Sequence, residues 1–275
     1  MNKSSMKQKQ PEKLGVGADE YDCQICRDTE LVLKRDERGY EFASFCDCRE
    51  RKAWKRRFKQ ALIPDEFVHA NFENFKRATQ YQQSMYDVTL EYLNEFKKDG
   101  GEKVISKHNL GFIAVVGEQR LRELPPHERA PMKQKHNNFG VGKTHLQIAL
   151  AKRLIKDGFN VLVVSDVTFM DELIQAKVMN DEGETLNRLL HSAIHADVLV
   201  WDDIGKAKWS EAKEALYYQI INERYRKQRP IVFSSNEDRG TLSEKIGYAA
   251  ASRLIGQCGS YLLEVEGEDF RLKGA

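Results

Sequence analysis

A glycine-rich stretch at residues 137–146, NNFGVGKTHL, has the residue types that bind a triphosphate. Gly140 and Gly142 allow the backbone to curl, so that successive N–H groups can point at phosphate oxygens. Lys143 would place a positive charge beside the β- and γ-phosphates, and the Thr144 hydroxyl would hold Mg²⁺. The apolar-periodic helix that follows would present its positive end to the same anion. We expect the phosphate cradle of this P-loop to comprise Asn138, Phe139, Gly140, Val141, Gly142, Lys143, Thr144 and His145.

The start of this loop departs from the usual P-loop pattern. Asn137 stands where the first glycine is normally found. Because asparagine adopts left-handed backbone conformations more readily than other non-glycine residues, we expect the turn to form. A plain glycine-containing loop in front of a helix is the alternative interpretation.

Two adjacent acids, Asp202 and Asp203, end the apolar run in DVLVWDDIG. At the carboxyl end of a buried parallel strand, one carboxylate can hold Mg²⁺ through water and complete the shell begun by Thr144. Its neighbour can orient and polarise the attacking water. We therefore assign Asp202 to magnesium and Asp203 to catalysis, with helix capping as the alternative.

Two further polar side chains follow these acids along the chain. Asn236 ends the strand-like run PIVFSSN, where its amide could detect the γ-phosphate and help to place the water. Arg253 lies in GYAAASRLIG and could reach the nucleotide of a neighbouring subunit, where it would stabilise transferring charge. The respective alternatives are an ordinary turn residue and a surface salt bridge.

Four of the cysteines form two close pairs, in CQIC and CDC. Two short β-like runs separate the pairs, so a hairpin would bring four thiolates to one tetrahedral ion. The predicted ligands are Cys23, Cys26, Cys46 and Cys48. We favour structural Zn²⁺, because four thiolates fill the coordination shell; an iron–sulfur cluster and unrelated surface thiols are the alternatives.

The segments that would carry these groups alternate between strand-like and helix-like patterns, which predicts an α/β fold with a parallel sheet and helices on both faces. An amphipathic helix is predicted at residues 79–98, ending at Gly100 and Gly101. The charged insertion at residues 118–136 holds three prolines and is predicted to project as a loop or lid. The predicted strands of the sheet are residues 111–117, 160–166, 197–205 and 230–236.

Composition divides the chain into three parts. Residues 1–20 are polar and predict a disordered tail; residues 21–70 hold the cysteines and a strongly basic helix, and residues 71–275 the α/β domain. The basic helix could meet a phosphate backbone or an acidic protein, or be simply solvated. The net charge of +2 gives no general attraction to nucleic acid. Without a membrane-length apolar run or a secretory signal, we expect a cytoplasmic protein with no membrane partner.

The order of these motifs resembles the AAA+ ATPases that load bacterial and phage replicative helicases, the DnaC-type and DnaI-type loaders. The resemblance covers nearly the whole chain from about Tyr21 onward. The pieces that match these loaders are the cysteine cluster, IPDEF…NFENF, FGVGKTHL, LVWDDIG, FSSN, ASRL and DFRLK. A GTPase is not expected, because no Asn-Lys-x-Asp base-reading motif follows the third strand.

The resemblance implies a small zinc-binding domain that binds a hexameric replicative helicase, followed by an AAA+ P-loop ATPase domain. That domain would use ATP and Mg²⁺, contact single-stranded DNA and allow self-association. The resemblance implies that Lys143 and Thr144 belong to the nucleotide site. It also implies that Asp202 and Asp203 belong to the Mg²⁺ and water site. Asn236 would be the first sensor and Arg253 the arginine finger.

The implied function is ATP-dependent loading of the helicase onto single-stranded DNA. A transposase-helper ATPase and a non-hydrolysing, nucleotide-bound adaptor are the alternatives. Asp203 replaces the commoner glutamate, and Ala249 stands where such loaders often have a second arginine. Together with Asn137, these departures predict slow, switch-like hydrolysis.

Overall fold

The computed structural model describes residues 21–99 and 102–272. The tail predicted at residues 1–20 and the glycines predicted to end the first long helix lie outside the described residues. The chain separates into two compact units, residues 1–53 and 54–275. The predicted domain that ends near residue 70 stays a prediction.

The first unit contains the hairpin expected between the cysteine pairs. Strands β1 (Leu31–Arg35) and β2 (Glu41–Phe45) pair antiparallel. The Asp36 carboxylate accepts two backbone N–H groups of the turn, and Gly39 adopts a left-handed φ of 84°, a conformation that costs glycine little. The predicted basic helix is present as α1 (Cys48–Gln60), which begins at the last cysteine.

The second unit contains a five-stranded parallel sheet, which confirms the predicted α/β fold. The strands of this unit are β3 (Lys97–Asp99), β4 (Glu102–Val104), β5 (Leu110–Ala114), β6 (Val161–Ser165), β7 (Val198–Asp202), β8 (Ile231–Ser234) and β9 (Leu262–Val265). In the sheet they run in the order β6-β7-β8-β5-β9, so strand β5, which precedes the P-loop, lies inside the sheet. Strands β3 and β4 form a separate antiparallel hairpin.

Helices cover both faces of this sheet. Alternate residues of a strand point to opposite faces: Val198 and Val200 of β7 pack in one core cluster, and Leu199 and Trp201 pack in the other. No helix of the described residues is both long and apolar enough to cross a membrane. The helices are α2 (Gln80–Leu93), α3 (Glu118–Glu123), α4 (Pro126–Lys135), α5 (Lys143–Lys156), α6 (Asp166–Val178), α7 (Glu184–His195), α8 (Glu211–Arg226), α9 (Arg239–Ile246) and α10 (Tyr248–Gly256).

Two sequence-based expectations about this unit were wrong. Helix α2 ends at Leu93 because Asn94 caps it by donating its N–H to the Glu91 and Tyr92 carbonyls, after which the chain enters the β3–β4 hairpin. The insertion at residues 118–136, expected to project as a loop or lid, is not a loop: it forms helices α3 and α4. Its role as a lid stays a prediction. Pro126 stands at the first turn of α4, where a missing N–H costs no helical hydrogen bond.

Candidate nucleotide site and cysteine cluster

The P-loop connects helix α4 to helix α5 at the carboxyl edge of the sheet. Gly140 and Gly142 have φ angles of 64° and 101°, in the left-handed region that favours glycine. The backbone N–H groups of Val141, Lys143 and Thr144 have no acceptor among the residues that the structure describes. Such unpaired amides at the start of a helix form an anion-binding site.

Asn137 shapes the start of the loop with its side chain. It does not adopt the left-handed conformation that we expected there. Its Nδ2 donates to the Phe139 carbonyl at 2.9 Å and to the Gly267 carbonyl at 2.6 Å, and its Oδ1 accepts the Phe139 N–H at 3.3 Å. Local side-chain bonds of this kind hold turns without glycine.

The Lys143 ammonium is buried inside the loop. Its Nζ donates to the Asn138 carbonyl and to Asn236 Oδ1, each at 2.8 Å. Burial lowers the pKa of Lys143 to about 8, and the nearby negative charges of Asp203 and Asp202 oppose that effect. The lysine is therefore tied to the asparagine that the sequence predicted as a sensor.

Asp202 is hydrogen-bonded to the first turn of helix α5. The Thr144 hydroxyl donates to Asp202 Oδ1 at 2.9 Å, and the Ser234 hydroxyl donates to the same oxygen at 2.7 Å. Burial raises the pKa of Asp202, and the charge of Asp203 adds to this rise. A hydroxyl and a carboxylate this close are the hard oxygen donors that Mg²⁺ prefers, so Thr144 and Asp202 fit the ion assigned to them.

Asp203 is held by two neighbouring side chains. Its Oδ1 accepts from Asn236 Nδ2 at 2.9 Å, and its Oδ2 pairs with Lys206 Nζ at 2.8 Å. Its backbone has a left-handed φ of 55°, a conformation that costs energy in a non-glycine residue and occurs often at functional sites. The Asp203 N–H also donates to the Ser234 hydroxyl at 3.0 Å, and that hydroxyl donates to Asp202. Through Ser234 the structure thus brings Lys143, Thr144, Asp202, Asp203 and Asn236 into one hydrogen-bonded group.

Two cavities flank this group. One, of about 330 Å³, lies beside the P-loop glycines and is lined by Phe75, His145 and Arg271. The other, of about 650 Å³, reaches Thr144 and Asp202 along β6, an edge strand of the sheet. Sequence reasoning missed Phe75 and Arg271, although both belong to segments, NFENF and DFRLK, that carried the family resemblance.

Arg253 lies outside this group. Its Nη1 donates to the Ala249 carbonyl of its own helix at 2.8 Å, and its guanidinium lies over the Tyr218 and Tyr225 rings at 5.2 and 5.9 Å. This location is compatible with a role toward another subunit, which stays a prediction.

The cysteine pairs converge as predicted. The four Sγ atoms of Cys23, Cys26, Cys46 and Cys48 lie within 4.8 Å of one another, and all four residues are buried. The Sγ atoms of Cys26 and Cys48 are 3.3 Å apart, and those of Cys23 and Cys46 are 3.8 Å apart. Four thiol groups at these distances fit one tetrahedral Zn²⁺. Cys258 is buried in the core of the α/β unit.

Comparisons with known proteins place these features in a family. An ATP-binding protein of insertion sequence IS21 from Pseudomonas aeruginosa is 32% identical over 139 residues, or 49% of this chain and 50% of that protein. Protein XkdC of the Bacillus subtilis phage-like element PBSX is 24% identical across 93% of this chain and 86% of its own length. The replicative helicase loader DnaC of Buchnera aphidicola is 24% identical across 82% and 80%.

Solved structures agree on the fold. A crystal structure of the DnaC helicase loader has a TM-score of 0.53 at 19% identity, covering 70% of this chain and 96% of that one. A crystal structure of DnaI has a TM-score of 0.52 at 21% identity, covering 78% and 98%. The α/β unit therefore has the AAA+ P-loop fold. Since the model of the IstB-like ATP binding proteins matches residues 137–275, just over half of the chain, this chain belongs to that family of AAA+ ATP-binding proteins.

Proposed function

We propose that this chain is a magnesium-dependent ATPase that controls the loading of a hexameric replicative helicase onto single-stranded DNA. The observation that carries the ATPase part is the hydrogen-bonded group formed by Lys143, Thr144, Asp202, Asp203 and Asn236. These side chains come from three separate segments and meet beside an amide-lined loop. Such convergence fits nucleotide chemistry better than helix capping does.

Each side chain has a distinct task in this proposal. The loop amides and Lys143 bind the β- and γ-phosphates, and Thr144 and Asp202 hold Mg²⁺. When bound, the ion neutralises charge on the transferring phosphoryl group. Asp203 orients the attacking water and accepts its proton. Asn236 is hydrogen-bonded to both Lys143 and Asp203, so it can couple phosphate binding at Lys143 to the position of the Asp203 carboxylate.

We propose that the purine of ATP binds in the cavity beside the P-loop glycines. Phe75 lies against Gly142, where an added Cβ would come within 2.6 Å of its ring, and the His145 ring is 5.4 Å away. Aromatic rings offer a face on which a base can stack. Arg253 is proposed to act on the nucleotide of a neighbouring copy, because it does not reach its own.

The loader assignment rests on how far each similarity extends. The similarity to the insertion-sequence protein covers 49% of this chain, whereas that to the DnaC loader covers 82%. We propose that the cysteine-cluster unit, with structural Zn²⁺, binds the helicase, and that the AAA+ unit contacts single-stranded DNA. A transposase-helper ATPase is the second candidate, favoured by the higher identity to the insertion-sequence protein.

The test combines the purified protein with the replicative helicase of its source, with and without ATP and circular single-stranded DNA. Size-exclusion chromatography measures complex formation, and recovery of DNA-bound helicase measures loading. We expect ATP-dependent loading by the wild type and by the control Lys227→Ala, which removes a lysine outside the site. We expect none with Lys143→Ala.

Two outcomes would redirect the assignment. Absence of any complex with the helicase under all conditions would contradict the loader role and favour the transposase-helper candidate. Full loading by a correctly folded Lys143→Ala protein would instead indicate an adaptor for which ATP is dispensable.

A further inference from the structure

Gln147 is a polar side chain in the buried part of helix α5, and none of the tasks proposed for the site uses it. It stands one turn after Lys143 and is 0% exposed, as are its apolar neighbours Leu146 and Ile148. A buried amide costs free energy unless its oxygen and its nitrogen both find hydrogen-bond partners. The partners of Gln147 therefore indicate why the helix has glutamine at this position.

Both ends of the Gln147 amide are satisfied in one of its two orientations. In that orientation Nε2 donates to Asp202 Oδ1 at 2.9 Å, and Oε1 accepts the Ser234 N–H at 2.8 Å. The opposite orientation would place oxygen against oxygen and donor against donor, so the partners assign the orientation. Gln147 thus connects helix α5 to the last residues of strands β7 and β8.

Asp202 Oδ1 consequently accepts three hydrogen bonds. Besides the Gln147 amide, the Thr144 hydroxyl donates to it at 2.9 Å and the Ser234 hydroxyl at 2.7 Å. Among the residues that the structure describes, no donor is hydrogen-bonded to the other carboxylate oxygen, Oδ2. Three donors from two elements therefore hold the carboxylate through one oxygen and leave the other available to a cation.

We infer that Gln147 is a positioning residue of the magnesium site, which fixes the Asp202 carboxylate so that Oδ2 stays available to the ion or to a water of its shell. This inference rests on the proposed binding of magnesium ATP, and Gln147 acts in it only through Asp202. Hydrogen-bond partners of a metal-binding side chain orient that ligand, and their loss typically costs about 10- to 100-fold in metal affinity or activity. The alternative is a purely structural role, in which Gln147 only satisfies the Ser234 N–H.

The test is isothermal titration of the full chain with ATP, at excess Mg²⁺ and in EDTA. Gln147→Met keeps the length of the side chain but removes both hydrogen bonds. We expect it to reduce the Mg²⁺-dependent gain in ATP affinity about tenfold, while the affinity in EDTA stays near that of the wild type. A structural defect of helix α5 would instead weaken ATP binding under both conditions, because Lys143 and the loop amides stand at the start of that helix.

Ile155→Val is the matched control. Ile155 lies about two turns further along the same helix, is also 0% exposed and packs in the apolar core. Loss of one methylene there weakens packing but removes no hydrogen bond of Asp202, so the Mg²⁺-dependent gain should equal that of the wild type. Unfolding curves in denaturant verify that each variant is folded. If Gln147→Met does not fold, Gln147→Asn takes its place, because its amide is one methylene shorter and cannot reach both partners.

Two results with a folded Gln147 variant would overturn the inference. One is an Mg²⁺-dependent gain equal to that of the wild type. The other is an equal loss of affinity with and without Mg²⁺, which would leave Gln147 a structural residue of helix α5. If the wild type binds no ATP, or binds it equally with and without Mg²⁺, the proposed magnesium-dependent ATPase itself fails. That failure is distinguishable, because it is measured on the wild type alone.

Discussion

ATP binding is expected to weaken as the pH rises through about 8, because Lys143 must carry a proton to hold the phosphates. Burial lowers the pKa of this ammonium from 10.5 to about 8 in the free protein. Bound phosphates bring negative charge next to the ammonium and raise its pKa again. The complex therefore holds the proton more tightly than the free protein, and binding takes up a proton wherever the free lysine is neutral.

The size of the effect follows from this pKa. Each pH unit above 8 costs about 1.4 kcal/mol of binding free energy, until the pKa of the complex is reached. Between pH 7 and pH 9 the Kd of magnesium ATP should accordingly rise roughly tenfold. Proton uptake per bound ATP should grow from about 0.1 at pH 7 to about 0.9 at pH 9.

Isothermal titration in buffers of different ionisation enthalpy measures both quantities. Lys227→Ala should behave as the wild type does, because this lysine lies outside the site. Lys143→Arg should lose the proton uptake, since a guanidinium keeps its charge throughout this range. A Kd that is constant from pH 7 to pH 9, with no proton uptake, would refute the lowered pKa of Lys143 on which this prediction rests.

Three further predictions concern other parts of the chain. Cys26→Ser should lose the bound zinc measured by mass spectrometry while Cys258→Ala keeps it; retention by both would contradict the four-thiolate site. Burial raises the pKa of Asp166 to about 6, so its ionisation destabilises the fold as the pH rises from about 4 to 6. The difference in unfolding free energy between wild type and Asp166→Asn, from denaturant titrations, should change over that interval, and a constant difference would exclude this role. Lys206→Met frees one Asp203 oxygen from its ion pair and should raise the ATP turnover number; slower turnover would mean that the lysine assists catalysis.

The sequence predicted which side chains meet beside the P-loop, because each of them belongs to a segment with a local signature. The glycine spacing around Lys143 and the apolar run before Asp202 can be recognised without knowing what they contact. Parallel strands then bring their carboxyl ends to one edge of the sheet, so the meeting of Asp203 with Asn236 followed from topology alone.

The remaining features depend on contacts between distant residues. Strand β9 was missed because its four residues carry little periodicity. Its partner in the sheet, β5, also lies far earlier in the chain, so no local pattern connects the two strands. The contact of Gln147 with Asp202 is likewise invisible in the local pattern. The charge and the three prolines of residues 118–136 predict a loop or lid, yet two of these prolines stand at the start of a helix, where proline is compatible with helical geometry.

The most direct test of this account is the ATP turnover number of Asp203→Asn, measured beside its affinity for magnesium ATP. Because Asp203 is assigned to the attacking water, whereas Lys143 and Thr144 are assigned to the nucleotide and its ion, we predict a turnover number reduced to background and a far smaller change in affinity. A variant that hydrolyses ATP as fast as the wild type would contradict the account.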